Sequence, residues 1–335
     1  MDWSKGYIIA EYYISIVDPA SWRDGERIEI RSGSASRTDE GLRQSADINV
    51  SSFDRNGEHW IRAWMNVEQN GTSDHVALFT GIASVPSESI GTSTKNVPLE
   101  CYSVLKPAED VLLERGWYAP AGMAGGDLIK SLLAVTPAPV EVEKGSPLLV
   151  DYIVAEDNEN RLTMTDKILK AMGWRLWITG DGRIHVGSQP TKPAAVFGDE
   201  FDIVQGPVEV SDDWYKCPNV FRAVSGDMAA VARDGSPDSP LSTESRGREI
   251  WMEETDCDLN DNESLEEYAT RRLKEEQQVI KSVTYKRGFS PDVVPTDMIR
   301  LHYPEYGITG MFCIKSHDIE FNDTTAVSEE VNVWA

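Results

Sequence analysis

Ala46-Asp47-Ile48-Asn49-Val50-Ser51 alternates apolar and polar side chains residue by residue, the mark of a strand with one buried and one wetted face. The same period of two runs through its neighbours. Upstream, Ile28 and Ile30 are interleaved with Arg27, Glu29 and Arg31; downstream, Ile61, Ala63, Met65 and Val67 form one apolar face and Val97, Leu99 and Cys101 another. Breaks fall at Asp18-Pro19, Asn56-Gly57, Asn70-Gly71 and Val85-Pro86, where the backbone is biased towards turns. About six one-faced strands between Tyr7 and Val104 predict a sandwich or small barrel, and hence a first domain over residues 1–104.

Beyond Leu105 the period lengthens to nearly four. Asp127 follows Gly125-Gly126 and precedes Leu128, Ile129, Leu132 and Leu133, which predicts a short amphipathic helix ended by Pro137 and Pro139. A second helix is predicted from Thr163 to Met172, with Thr163 or Thr165 as its cap, Met164, Ile168, Leu169 and Met172 on one side and Gly173 as its stop. Trp174 to Ile178 and Arg183 to Val186 then flank Thr179-Gly180-Asp181-Gly182 as a hairpin. Residues 105–206 thus read as an α+β middle domain, with the Pro-containing stretch from Gln189 to Gly206 as a return linker.

The last part, 207–335, favours strands around Val220–Val224, Glu249–Met252, Val279–Tyr285, Met298–Tyr303 and Met311–Phe321. One helix interrupts them: Ser264 and Glu267 form a capping box ahead of the stripe Leu265, Tyr268, Ala269 and Leu273. The run Asp234-Gly235-Ser236-Pro237-Asp238-Ser239-Pro240 predicts a long mobile loop near 227–249. The fold class is therefore mainly β with an α+β insert.

Composition narrows the function classes. The chain has 335 residues, 56 acidic against 32 basic, for a net charge of -24, so it repels phosphate backbones and anionic headgroups as a whole. A 40% hydrophobic fraction with ten Trp and eleven Tyr supports a packed core and argues against wholesale disorder. Cys101, Cys217, Cys257 and Cys313 are scattered without a Cys-x-x-Cys pair, and the start lacks a basic-then-apolar leader, which points to folding in a reducing cytosol. No apolar run is long enough to cross a bilayer as a helix, so direct membrane insertion is not expected.

Catalytic motifs are missing: there is no Gly-x-Ser-x-Gly, no phosphate-binding Gly-x-x-x-x-Gly-Lys and no His-Glu-x-x-His. His59, His75, His185, His302 and His317 are isolated from one another, and the last two read as ordinary sheet residues. One metal candidate stands out. Asp256, Asp258, Asn260, Asn262, Ser264 and Glu267 follow the spacing of a calcium loop, but Asp261 occupies the place of the turn glycine and strand, not helix, precedes it. An acidic helix N-terminus explains the same residues. Trp60 with Trp64, and Trp174 with Trp177, could stack on a sugar, although packing is the commoner use of such residues. No catalytic residue and no cofactor is assigned.

Three passages, in order along nearly the whole chain, resemble the hub proteins of bacteriophage tail baseplates and related injection machines. They are Leu113-Glu114-Arg115-Gly116-Trp117-Tyr118-Ala119-Pro120-Ala121-Gly122 with the helix after it; Pro218-Asn219-Val220-Phe221-Arg222-Ala223-Val224-Ser225-Gly226-Asp227; and the helix from Ser264 coupled to Met298-Ile299-Arg300-Leu301 and Gly307-Ile308-Thr309-Gly310-Met311-Phe312-Cys313-Ile314-Lys315-Ser316. Pro295-Thr296-Asp297 departs from the family's frequent Pro-Gly-Asp, so its turn is expected to differ.

The resemblance implies a structural, non-enzymatic homotrimer of the virion, assembled in the host cytoplasm. Each subunit would contribute two tube-type β-barrel domains flanking the α+β middle domain, giving a pseudo-sixfold ring. That ring would join a hexameric tail tube or distal tail protein to a threefold tip or spike, with a tape-measure protein and DNA passing through its lumen without specific binding. Because the sequence stops just after the closing strands, no added peptidase or lysin domain is expected. The alternatives are a tail-associated carbohydrate-active enzyme and a hexameric distal tail protein.

Overall fold

The structure, a computed structural model, describes residues 3, 9–86, 96–198, 207–212, 214–215, 217–226, 228–255, 257, 264–277, 281–322 and 326–333. The chain divides into two compact units, one of residues 1–208 with 284–335 and one of 209–283. It is mainly β, with one large antiparallel sheet and several small ones.

The first unit begins with six strands, β1 (Ile9–Asp18), β2 (Arg23–Thr38), β3 (Gln44–Val50), β4 (His59–Gln69), β5 (Thr72–Ser84) and β6 (Val97–Ser103). β1 pairs with β4, β4 with β5, β5 with β6, β6 with β3, β3 with β2, and β2 again with β1, all antiparallel. The ladder therefore returns to its starting strand and leaves no edge among these six, which disposes of the pairing hazard of an open sheet.

Alternation in the sequence is what fills this ring. Ala46, Ile48, Val50, Ile61, Ala63, Met65, Val67, Val97, Leu99 and Cys101 are all buried in one cluster. Burying one such aliphatic side chain stabilises the fold by roughly 1.5–3 kcal/mol. The connection between β4 and β5 is the two-residue turn Asn70-Gly71, with φ of 50° and 78°, the twist a tight hairpin requires.

β2 is long enough to serve two sheets. Its last residues pair with the strand Ile308–Glu320, from Ser34↔Glu320 to Thr38↔Ser316. That strand also pairs with Met298–Tyr303 and Ala326–Val333, while Ala195–Phe197 lies parallel to Met298–Tyr303. The strand Lys281–Gly288 lies beside Ala326–Val333 in this group, and Ile319 and Val327, with Phe289 and Phe321 just past strand ends, belong to the same core cluster as the ring.

Between the two groups sits the α+β insert, with its own core of Leu128, Ile129, Leu132, Leu162, Met164, Ile168, Leu169, Leu176 and Ile184 among others. Its helices span Gly125–Leu132 and Arg161–Met172, and its main sheet has the strands Trp174–Ile178, Ile184–Ser188 and Val140–Val142 in that order. The second helix starts earlier than either predicted Thr cap allows. Asn160 caps it, accepting from Thr163 N at 2.8 Å, and buried Leu162 extends the apolar face into the two added residues. Gly173, at φ 64°, ends it as expected.

The second unit is a three-stranded sheet, Met228–Arg233, Val220–Ser225 and Trp251–Thr255 in spatial order, under the helix Leu265–Glu276. Tyr268, Ala269 and Leu273 pack on Phe221, Ala223 and Ala230. The predicted capping box is present, with Ser264 N donating to Glu267 at 2.9 Å and Glu267 N to Ser264 Oγ at 3.2 Å. The predicted loop near 227–249 instead holds the strand Met228–Arg233 and the short helix Thr243–Arg246. Met228-Ala229-Ala230-Val231-Ala232 has no polar member to mark an alternation, and Ala is a weak strand former, so the pairing with Val220–Ser225 is what makes it a strand.

Candidate functional site

The expected site residues were few, and most of them lie outside the described residues. Asp256, Asp258, Asn260 and Asn262 of the calcium-type spacing lie outside the described residues, while Glu267 is occupied in the capping box with Ser264. Among the described residues no group of three or more His, Cys, Asp or Glu could hold a metal ion. The four cysteines are free thiols, and burial raises both Cys101 and Cys313 above the usual thiol range, away from reactivity.

The tryptophans serve packing. Trp60 meets Trp22 with ring centroids 5.6 Å apart, and Trp64 Nε1 donates to Asp24 Oδ2 at 2.8 Å. Trp177 stacks on His185 at 5.2 Å with Arg175 above it at 4.4 Å.

Trp60 and Trp64 flank the contact that fixes the insert on the ring. On the outer face of β4, Arg62 donates to Thr80 Oγ1 and to the carbonyl of Asp181, both at 3.0 Å. Thr80 Oγ1 donates to the Gly180 carbonyl at 2.7 Å, Trp22 Nε1 to the Asp181 carbonyl at 3.0 Å, and Gln44 Nε2 to the Ile178 carbonyl at 3.0 Å. The hairpin turn predicted at Thr179-Gly180-Asp181-Gly182 is thus the foot of the insert. Glycine is required there, since a Cβ at Gly180 would lie 1.7 Å from the Ala77 carbonyl oxygen. Beside it, burial lowers the Arg37 guanidinium to about 10, still charged at neutral pH, and its Nε donates to the Leu78 carbonyl at 3.1 Å.

A second tie joins the insert to the other group of strands. Arg175 Nη1 donates to Asp297 Oδ1 at 2.8 Å and to Thr296 Oγ1 at 2.9 Å. Thr296 has φ 77°, so the Pro295-Thr296-Asp297 turn adopts the left-handed backbone that the glycine of Pro-Gly-Asp would favour. A β-branched residue in that region is strained.

The deepest polar cluster lies in the second group of strands. Glu329 accepts from Arg287, Tyr285 and His317 Nε2, the last at 2.6 Å, and none of the four is more than slightly exposed. Burial works to raise Glu329, but Arg287 and His317 overcome it and hold the carboxyl well below the usual range. Burial lowers His317 against the pull of the Glu329 hydrogen bond, and since a carboxylate can only accept, Nε2 carries the hydrogen of that contact. All four side chains are buried, and their hydrogen bonds pin neighbouring strands together. Sequence reading placed His317 correctly in a sheet but missed the cluster. Its signal was phase: Glu329 falls in step with buried Val327 and Val331, and Arg287 with buried Tyr285 and Phe289.

What the surface offers is apolar. Leu148, Val150, Tyr152 and Val154 are exposed along one segment, and so are Tyr118, which pairs with Val154, and Met123. In the second unit Trp214, Tyr215, Val231 and Trp251 are exposed. Large apolar side chains grouped at a surface are the material of protein–protein contacts.

A tail protein from Neisseria meningitidis MC58 superposes with a TM-score of 0.69 at 16% identity, covering 96% of each chain. The chain shares the fold of phage tail proteins. The 43 kDa tail protein of prophage MuSo2 from Shewanella oneidensis gives a TM-score of 0.65 at 13% identity, over 96% of this chain and 97% of that one. A component of the type VI secretion system of E. coli gives 0.52 at 7% identity, over 92% and 74%. No family model matches the sequence, and no curated protein does.

Proposed function

We propose that this chain is a structural subunit of a phage tail baseplate, the hub at which the tail tube meets the tip. The observation that carries the reading is the closed six-strand ladder of β1 to β6, linked through β2 to a second group of strands and matched over nearly the full length by tail proteins. In this reading residues 1–104 are one tube-type barrel, 105–206 the insert and return linker, and strands within 207–335 the second barrel. Three copies then present six tube-type modules around a channel, which suits a hexameric tube or distal tail protein on one side and a threefold tip or spike on the other.

The charge supports the channel. Three copies of a chain with net charge -24 surround the lumen with acid, so DNA and a tape-measure protein slide through without sticking. The role is mechanical and needs no catalyst or cofactor. Electron microscopy of the purified chain tests it: threefold rings with six similar lobes around a hole are expected, and compact single particles with one cleft would remove the proposal.

A further inference from the structure

The body of the insert, residues 105–188, and the six-strand ring have separate cores. Among the described residues, none from the insert belongs to the ring's apolar cluster, and the ring contributes only the partly buried Trp22, Leu42 and Trp60 to the insert's. What joins them otherwise is polar. Hydrogen bonds from Trp22, Gln44, Arg62 and Thr80 all end on main-chain carbonyls of residues 178–181, so a single turn carries them. Arg43 Nη2 donates to Asp166 Oδ1 on the insert's second helix at 2.6 Å, and Arg175 reaches out of the insert to Thr296 and Asp297. Polar seams between separate cores are where parts of one chain move against each other.

This seam is imperfectly satisfied. Arg43 Nε, Gln44 Oε1 and Arg175 Nε are buried without a hydrogen-bond partner, and each belongs to a side chain that ties the insert down. A buried polar atom left unpaired costs the docked state its lost hydration. Thr296, which Arg175 grips, is held at φ 77°, a strained conformation for a β-branched residue. Parting the seam returns all three atoms to water and frees that turn from Arg175, while both cores stay closed.

We propose that the insert is a latched lever, which undocks from the ring as a folded body when the contacts of Arg43, Arg62 and Arg175 release. The chain crosses the seam at two places that allow this. At the entry Val104 already belongs to the insert's core and its carbonyl accepts from Thr136 Oγ1 at 2.7 Å, whereas Ser103 pairs with Gly81 in the ring, so the pivot falls between Ser103 and Val104. At the exit residues 188–192 are largely exposed. The ladder of β1 to β6 takes no part in the swing, because none of its strand pairings involves the insert.

Alkylation of the full chain with iodoacetamide, read by peptide mass spectrometry, tests it. Thr80→Cys reports the seam, Ile184→Cys the insert's core and native Cys101 the ring's core, at positions 0%, 0% and 2% exposed. Each rate is divided by that of the same thiol in urea-unfolded chain. The thiol at position 80 is expected to react about tenfold or more faster than the other two. Because Thr80→Cys itself removes a seam hydroxyl, Arg43→Gln and Arg175→Gln are added to it: each speeds position 80 about tenfold again and leaves position 184 and Cys101 unchanged. Equal protection of all three overturns the lever, since the seam then opens only with the whole fold. Positions 80 and 184 reacting together ahead of Cys101 overturn it as well, since the insert then melts instead of swinging. A rate at position 80 that neither arginine variant moves overturns the latch.

Discussion

Arg287 and Glu329 are ion-paired on neighbouring strands with 2% and 0% of their side chains exposed. Removing one partner strands the other charge in the core. Glu329→Ala is expected to cost about 3–5 kcal/mol in urea unfolding. The adjacent, exposed Glu330→Ala should stay within about 0.5 kcal/mol of wild type. Equal effects from the two would show that the cluster contributes nothing special.

The same cluster sets an acid response. Burial, opposed by the Glu329 hydrogen bond, lowers the titration of His317, so the native state holds fewer protons than the unfolded chain below about pH 6.5. Its contribution is therefore complete above that pH and is lost progressively as pH falls towards the folded value. Glu329 is also lowered, and its contribution begins to fade only from about pH 4.3 downward. Unfolding free energy measured against pH should show both windows, and His317→Gln should remove the upper one. A wild-type profile flat between neutrality and pH 5 contradicts this.

Thr296 offers a test of backbone strain. Thr296→Val and Thr296→Gly both lose the hydroxyl that accepts from Arg175, but only glycine is at ease at φ 77°. The glycine variant should be the more stable by about 1 kcal/mol in thermal or urea unfolding. The reverse order would mean the turn is not strained.

At Gly180 the expectation is steric. Gly180→Ala drives a methyl group into the Ala77 carbonyl, so the foot of the insert must lift from the ring. A loss of about 1–3 kcal/mol follows, with faster proteolysis of the insert than in wild type. Unchanged stability would show that the turn tolerates a different seat.

Much of this architecture was written in periodicity. The faces of Ala46-Ile48-Val50 and Ile61-Ala63-Met65-Val67 announced buried strands, Asn70-Gly71 its hairpin, and Ser264 with Glu267 the start of a helix. Other features depend on neighbours distant in sequence. Met228–Arg233 is a strand because Val220–Ser225 lies beside it, and alanines alone do not say so. Closure of the ladder required β1 to meet β2 and β4 together, a pairing that no local pattern encodes. Surface patches were equally hidden, since nothing in the local pattern marks Val150 and Val154 as exposed.

Native mass spectrometry of the full chain addresses the hub reading most directly. Ions of three chains are predicted, persisting at low micromolar concentration and dissociating to monomers without stable pairs. Six-chain ions would make it a hexameric tube-type component instead, and single chains at every concentration would contradict the account.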